Sequence, residues 1–243
     1  MLVISAGMQK SGSAYIYNLI NDLLVSAGFK NARDIKEKYD LNEIMKWHNN
    51  NVGDLNRKLL LKLLYLSINE GTFAVKTHSM PTRFHNILLR LGLIKTIYIY
   101  RDPRDVLLSA QDHGRRIREG GESHTFANFI EFEDAIKAVE GWTNIFKSYN
   151  GIKGVLSICY EELWTNPNRI LGEICEYLNI NVSIEDMNKI LLKYDKNNKE
   201  TDMKGLHFNK AIINRYRDEL SEIQKEIFKK NMGEVIQKMG YEI

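Results

Sequence analysis

The sequence predicts an α/β fold in which a P-loop-like parallel sheet is flanked by helices on both faces. Short apolar runs alternate with helix-period segments along the chain, which is the pattern of parallel strands joined by helical crossovers. The first apolar run, Leu2-Val3-Ile4-Ser5-Ala6-Gly7, passes through the small residues of Lys10-Ser11-Gly12-Ser13 directly into an amphipathic segment. Leu93–Tyr100 is the strongest strand signal, because Ile94, Ile97, Tyr98, Ile99 and Tyr100 are β-branched or aromatic. At 243 residues the chain has room for one α/β domain or two small ones, with a sizeable buried core.

Taken in order, residues 2–7 form a buried strand that stops at a glycine. Residues 13–27 form a helix with Ile16, Ile20, Leu23, Leu24 and Ala27 on one face and Gly28 as its stop. Residues 30–52 are polar, with a short helix expected around Leu41–Trp47. Leu55, Leu59, Leu63 and Leu66 line one face of a helix over 54–69. Thr72–Lys76 is a second strand. Pro81 and Pro103 open helices running to about Leu91 and Arg118, since proline suits the first helical turn. Gly120-Gly121 breaks the latter. A long helix is expected over 126–148, a fourth strand over Gly154–Tyr160, and helices over 167–178 and 183–193. Residues 195–205 lack an apolar period and read as a mobile loop. Glu219–Met239 closes the chain as a helix, with Ser221 as the less favoured start.

Ligands of parallel sheets bind outside the carboxyl ends of the strands. The residues that follow each strand are therefore informative. They are Lys10 to Ser13, Thr77-His78, Arg101-Asp102 and Tyr160-Glu161-Glu162, a set of basic and polar groups at one edge. The first set is an anion site, because a helix N-terminus exposes backbone N–H groups beside a lysine. It departs from the NTPase loop G-x-x-x-x-G-K-[ST]. Gly7 and Gly12 keep the spacing, but Ser13 stands where the lysine belongs. Arg101, with Ser109 eight residues on, can hold a second phosphate. The plainer alternative is an arginine that caps strand carbonyls or pairs with Asp105. His78 can serve as a general base at a ligand-facing strand end, or be a structural histidine. Arg115, Arg116 and Arg118 are solvated charge at a helix end or contacts for an acidic acceptor. Tyr15 is a core residue or a platform for a base.

Other classes receive little support. A net charge of +3, from 34 basic and 31 acidic residues, is too small to make nucleic acid the main partner. Cys159 and Cys175 form neither a disulfide framework nor a metal spacing and read as reduced residues of a cytoplasmic protein. The histidines also lack metal-ligand spacing. No stretch reaches membrane-spanning length, so no membrane insertion is expected. No basic segment precedes the first strand, which predicts the absence of a signal peptide.

Together these residues resemble the sulfotransferase family. Gln9-Lys10-Ser11-Gly12-Ser13-Ala14-Tyr15 is similar to its 5′-phosphosulfate loop, P-K-S-G-T-T-W. Tyr98 to Ser109 resembles its 3′-phosphate motif, including the arginine-to-serine spacing, and Val75-Lys76-Thr77-His78 resembles the K-T-H segment of the cytosolic group. Cys159-Tyr160-Glu161-Glu162-Leu163 with Asn166-Pro167 looks like the Y-E-D/E-L…P segment, and residues 209–217 are a degraded R-K-G-x-x-G-x-W-K. Proline is absent before Lys10, Tyr15 replaces tryptophan, and Asn209 and Ala211 replace arginine and glycine, which leaves Lys210 as the phosphate contact of the last motif.

The resemblance implies one sulfotransferase domain over 1–243. It would move a sulfuryl group in line from 3′-phosphoadenosine 5′-phosphosulfate (PAPS) to the hydroxyl or amine of a small-molecule or glycan acceptor, without a metal. It further implies His78 as base, Lys10 and Lys76 on the transferring group, residues 11–15 around the 5′ end, Arg101, Ser109 and Lys210 on the 3′-phosphate, and Tyr15 and Tyr160 on the adenine. Residues 30–70 and 111–125 are expected to shape the acceptor pocket. Two alternatives remain at this point: a P-loop nucleotide kinase or NTPase, and a catalytically silent nucleotide-binding protein. Neither the acceptor nor the oligomeric state is legible.

Overall fold

The computed structural model describes residues 1–121, 124–195 and 212–243. Five parallel strands form a sheet in the order β2-β3-β1-β4-β5: β1 (Leu2–Gly7), β2 (Asn51–Val52), β3 (Phe73–Thr77), β4 (Ile94–Tyr100) and β5 (Val155–Cys159). Between them lie α1 (Ser13–Ser26), α2 (Ala32–Lys38), α3 (Arg57–Glu70), α4 (Arg83–Arg90), α5 (Pro103–Glu119) and α6 (Phe132–Tyr149). After β5 come α7 (Tyr160–Thr165), α8 (Pro167–Leu178), α9 (Ile184–Lys193), α10 (Tyr216–Glu219) and α11 (Glu222–Lys238).

Side chains alternate across a strand, so the central strands feed two cores. Val3, Ile97 and Ile99 pack with Ile16, Ile20 and Leu23 of α1 and Leu171 of α8. Leu2, Ile4 and Tyr98 pack with Leu63 of α3, Val106 of α5 and Phe228 of α11. Both faces are covered, which is why the strands read as continuous apolar runs. Register places Ala6 beside Thr77 and Tyr98. The turns that follow β1, β3 and β4 therefore open at one edge.

Several local expectations are corrected. No helix forms at Leu41–Trp47, because Trp47 and Asn50 have φ of 59° and 47°, outside the right-handed helical region. The helix in this stretch is α2, capped by Asn31, whose side chain accepts from the Arg33 N–H, with Asp34 in the first turn and Lys36 and Lys38 in the last. The two-residue β2 is too short to read from a pattern. α4 starts two residues after Pro81, with Thr82 accepting from His85 N–H. The long helix starts at Phe132 rather than 126, behind a capping box of Glu131 and Asp134. Residues Thr125–Asn128 instead form a 3₁₀ turn. That turn packs so closely on α5 that a Cβ at Gly114 would sit 2.1 Å from the Phe126 carbonyl oxygen. Tyr160 belongs to α7, not to the fourth expected strand. Ser221 is the N-cap of α11, in a capping box with Gln224, and 216–219 are a separate turn of helix. Residues 196–205 of the expected loop, and Lys210, lie outside the described residues. None of the described helices is long and apolar enough to cross a membrane.

Candidate active site

The turn after β1 is built for an anion. Lys10 and Gly12 both adopt left-handed backbone, with φ of 60° and 81°. Glycine is required at 12 on two grounds: the conformation, and the Tyr160 ring, whose nearest carbon would lie 2.6 Å from an added Cβ. The Ser11 hydroxyl donates to the Met8 carbonyl at 2.7 Å and ties the loop to β4 through the Ile99 carbonyl at 3.3 Å. Ser11 thus shapes the loop and Ser13 opens the helix. α1 has no side-chain cap, whereas α3, α4 and α5 are capped by Asn56, Thr82 and Asp102. The N-terminus of α1 thus points its backbone N–H groups out of the loop with no side-chain cap over them, an arrangement that suits an anion.

Lys10 reaches from this loop toward α5. Its ammonium lies 5.5 Å from the centre of the Phe126 ring. Burial first, and then the Arg116 and Arg101 guanidinium groups, push it down to about 8, against the pull of Asp112. An anion placed here would reverse that shift.

The turn after β4 holds a buried arginine. Arg101 donates to the Ile212 carbonyl at 2.9 Å and pairs with Asp105 at 3.4 Å. Its guanidinium carbon stands 4.4 Å from the centre of the Tyr160 ring. Its Nε is buried and has no hydrogen-bond partner among the described residues. Ser109, two turns into α5, is buried as well. Asp105 is further fixed by the Tyr216 N–H, and burial pushes its carboxyl up. The Asp105-pairing alternative for Arg101 is realised; the carbonyl it holds is that of Ile212 rather than one of a strand, and its Nε–H has no partner among the described residues.

The turn after β3 supplies the third group. His78 Nδ1 lies 2.7 Å from the Gly7 carbonyl, which can only accept, so Nδ1 carries the proton and Nε2 a lone pair. That lone pair faces the Lys76 ammonium nitrogen at 2.6 Å. Lys76, itself buried, also donates to Asn51 Oδ1 at 3.1 Å. Burial pushes Lys76 down to about 7, and burial together with the Lys76 charge pushes His78 down to about 3.

The chain that carries these three turns matches a known family. The sulfotransferase domain model matches residues 2–240. The chain belongs to the sulfotransferase domain family. It is thereby a PAPS-dependent sulfotransferase by class. Solved structures with the same fold include retinol dehydratase with androsterone and the inactive cofactor PAP, at 16% identity and TM-score 0.63 over all of this chain and 82% of that one. Retinol dehydratase with retinol and PAP matches at 18% and 0.61, over all of this chain and 83% of that one. A mouse sulfotransferase complexed with PAP matches at 18% and 0.53, over 97% of this chain and 84% of that one. No curated protein sequence matches the chain.

Within this sulfotransferase, the crevice includes groups that sequence reasoning missed. Asn51 meets Lys76 from the next strand, and Phe126 meets Lys10 from the 3₁₀ turn. Asn51 lies in the 30–70 stretch expected at the acceptor pocket, but the lack of periodicity there kept it from being singled out; Gly114, four residues before Arg118, marks the close turn, where a Cβ would meet the Phe126 carbonyl. Tyr15 packs edge-on against Trp164 and Tyr194 at 6.2 and 6.4 Å, and Tyr160 stacks on Trp164. Tyr15 and Tyr160 thus belong to one aromatic wall beside the α1 N-terminus. Among the described residues no cluster of three or more His, Cys, Asp or Glu is arranged to hold a metal.

Proposed function

We propose that one sulfotransferase domain spanning 1–243 transfers a sulfuryl group from PAPS in line to a hydroxyl or amine of a small-molecule or glycan acceptor. The observation that carries this is the pair of separate anion corners on adjacent strands. An uncapped helix start with Lys10 suits a 5′-phosphosulfate, and the spare Arg101 Nε suits a 3′-phosphate. A donor with phosphates at both ends of a nucleoside fits both. Solved relatives of the same fold hold PAP, and retinol dehydratase holds androsterone or retinol, which supports a nucleotide donor and a small acceptor.

In this reading the N–H groups of residues 11–15 and Lys10 bind the 5′ end, Arg101 and Ser109 the 3′-phosphate, and the Tyr15–Tyr160 wall the adenine. Lys210 is proposed as a further 3′-phosphate contact. Lys10 and Lys76 neutralise charge that builds on the bridging and sulfuryl oxygens, as preorganised cations do in phosphoryl transfer. His78 Nε2 accepts the acceptor's proton. For that, Lys76 must leave Nε2, and an anionic sulfuryl group offers its ammonium a better partner. The Gly7 carbonyl holds the imidazole in place meanwhile. No metal takes part in this scheme, and the protein is proposed to work in the cytoplasm. The test is formation of PAP from PAPS with a panel of hydroxyl and amine acceptors. Acceptor-dependent PAP release is expected, and tight PAP binding without turnover on any acceptor would indicate a silent nucleotide-binding protein.

A further inference from the structure

Charge is unevenly divided along the chain. Residues 57–95 contain seven basic side chains and one acidic one, a local net charge of +6 against +3 for the whole protein, so the remainder is net −3. The one acid, Glu70, is buried and already bonded to Lys30, Lys38 and Tyr39. Most of the excess lies on the outward side of α3 and α4, where Arg57, Lys58, Lys62, Arg83 and Arg90 are all exposed and no acidic residue is.

The same two helices carry exposed apolar side chains. α3 buries Leu60, Leu63 and Leu66 against the sheet and α4 buries Leu88 and Leu89 in the same core. Their opposite faces show Leu61, Tyr65 and Ile68 of α3 at helical spacing and Ile87 of α4, and the turn from α4 to β4 exposes Leu91 and Leu93. Tyr65 is 66% exposed, Ile68 75% and Leu91 66%. The helices lie side by side, with Arg57 of α3 5.5 Å from the centre of the Phe84 ring of α4. Single exposed apolar residues are ordinary, but four on the outward sides of two neighbouring helices that also carry five exposed cations and no exposed acid are a feature that needs an occupant.

We propose that the α3–α4 face docks on an anionic lipid bilayer surface. A second copy of the chain is disfavoured by charge, since face-to-face pairing would oppose five exposed cations to five others with no exposed acid on either helix. A bilayer interface matches both halves of the pattern. Its headgroups take Lys and Arg, and its upper acyl region takes aliphatic side chains and the amphipathic Tyr ring. It also needs no complementary groove. The inference does not rest on the proposed acceptor or on the role of any crevice residue.

The test is co-sedimentation of the whole protein with vesicles of phosphatidylcholine alone or of phosphatidylcholine with about one-third phosphatidylglycerol. The expected result is binding to the anionic vesicles only, weakened by added salt. Y65S/I68S and K58E/K62E should each lower partitioning by at least about tenfold while keeping PAP affinity and the circular dichroism of the parent. Wild-type protein that stays in the supernatant with anionic vesicles would overturn the proposal. So would vesicle binding that neither variant reduces, or a wild-type dimer in light scattering that Y65S/I68S converts to a monomer.

Discussion

At the β1–α1 turn the N–H groups that open the helix meet no side-chain cap, whereas at the β4–α5 turn Arg101 already holds a backbone carbonyl and a carboxylate. The two corners lie on neighbouring strands and are proposed to hold the two ends of one nucleotide. They prepare for it differently. The first corner leaves its helix start without a side-chain cap, open to an anion. The second holds its buried guanidinium on Asp105 and the Ile212 carbonyl through one terminal nitrogen, with no partner on Nε among the described residues. Damage to the first should therefore appear in binding and turnover. Damage to the second should also destabilise the fold, because Asp105 would remain buried without its cation.

The largest expected effect lies beside both corners. His78→Ala should lower turnover by about 10²–10⁴, the usual range for one acid–base group, with PAP affinity and melting temperature close to the parent. Steady-state rates and calorimetry on the same sample decide this; near-normal turnover would place the base elsewhere. Next, Arg101→Ala should weaken PAP binding by about 1.5–3 kcal/mol, roughly ten- to a hundredfold, and lower the melting temperature. A loss of stability with unchanged affinity would break the comparison, since it would make Arg101 purely structural.

Gly12→Ala probes the first corner. It forces a Cβ into a left-handed position facing the Tyr160 ring, so a stability loss of at least about 1–2 kcal/mol is expected together with weakened PAP binding. Chemical denaturation and titration of one preparation measure both. The smallest effect is in pH. Lys10 and Lys76 stand near 8 and 7 without ligand, and a bound anion raises both. Binding should therefore take up protons. PAP affinity should be greatest below about pH 7 and fall several-fold as the pH rises through 8 to 9, which calorimetry in buffers of different ionisation enthalpy would show.

The contrast between the corners also marks what the sequence made legible. The apolar runs of β1, β3 and β4 and the residues just after them placed Lys10, His78 and Arg101 at one edge, because parallel strands ending together is a consequence of topology. The Arg101–Asp105 spacing of four across the start of α5 allowed both the pairing and the phosphate role, and the fold realises the pairing with no partner on Nε among the described residues. What escaped depends on long-range approach. Asn51 on a two-residue strand, and Phe126 brought to Lys10 by the close packing at Gly114, have no local signature. Left-handed residues at Trp47 and Asn50 displaced the helix expected there, and Ser221 won over Glu219 because its hydroxyl and Gln224 satisfy each other's backbone N–H groups.

The central claim is that two distinct anion corners receive one nucleotide. Calorimetric titration of the protein with PAP and with ADP tests it most directly, because both are adenosine nucleotides with two phosphates, which PAP divides between the 5′ and 3′ ends and ADP carries together at the 5′ end. PAP should bind at least about tenfold tighter, consistent with one charged hydrogen-bonded contact, and Arg101→Ala should remove that advantage. Equal affinities for PAP and ADP in the wild-type protein would contradict the account.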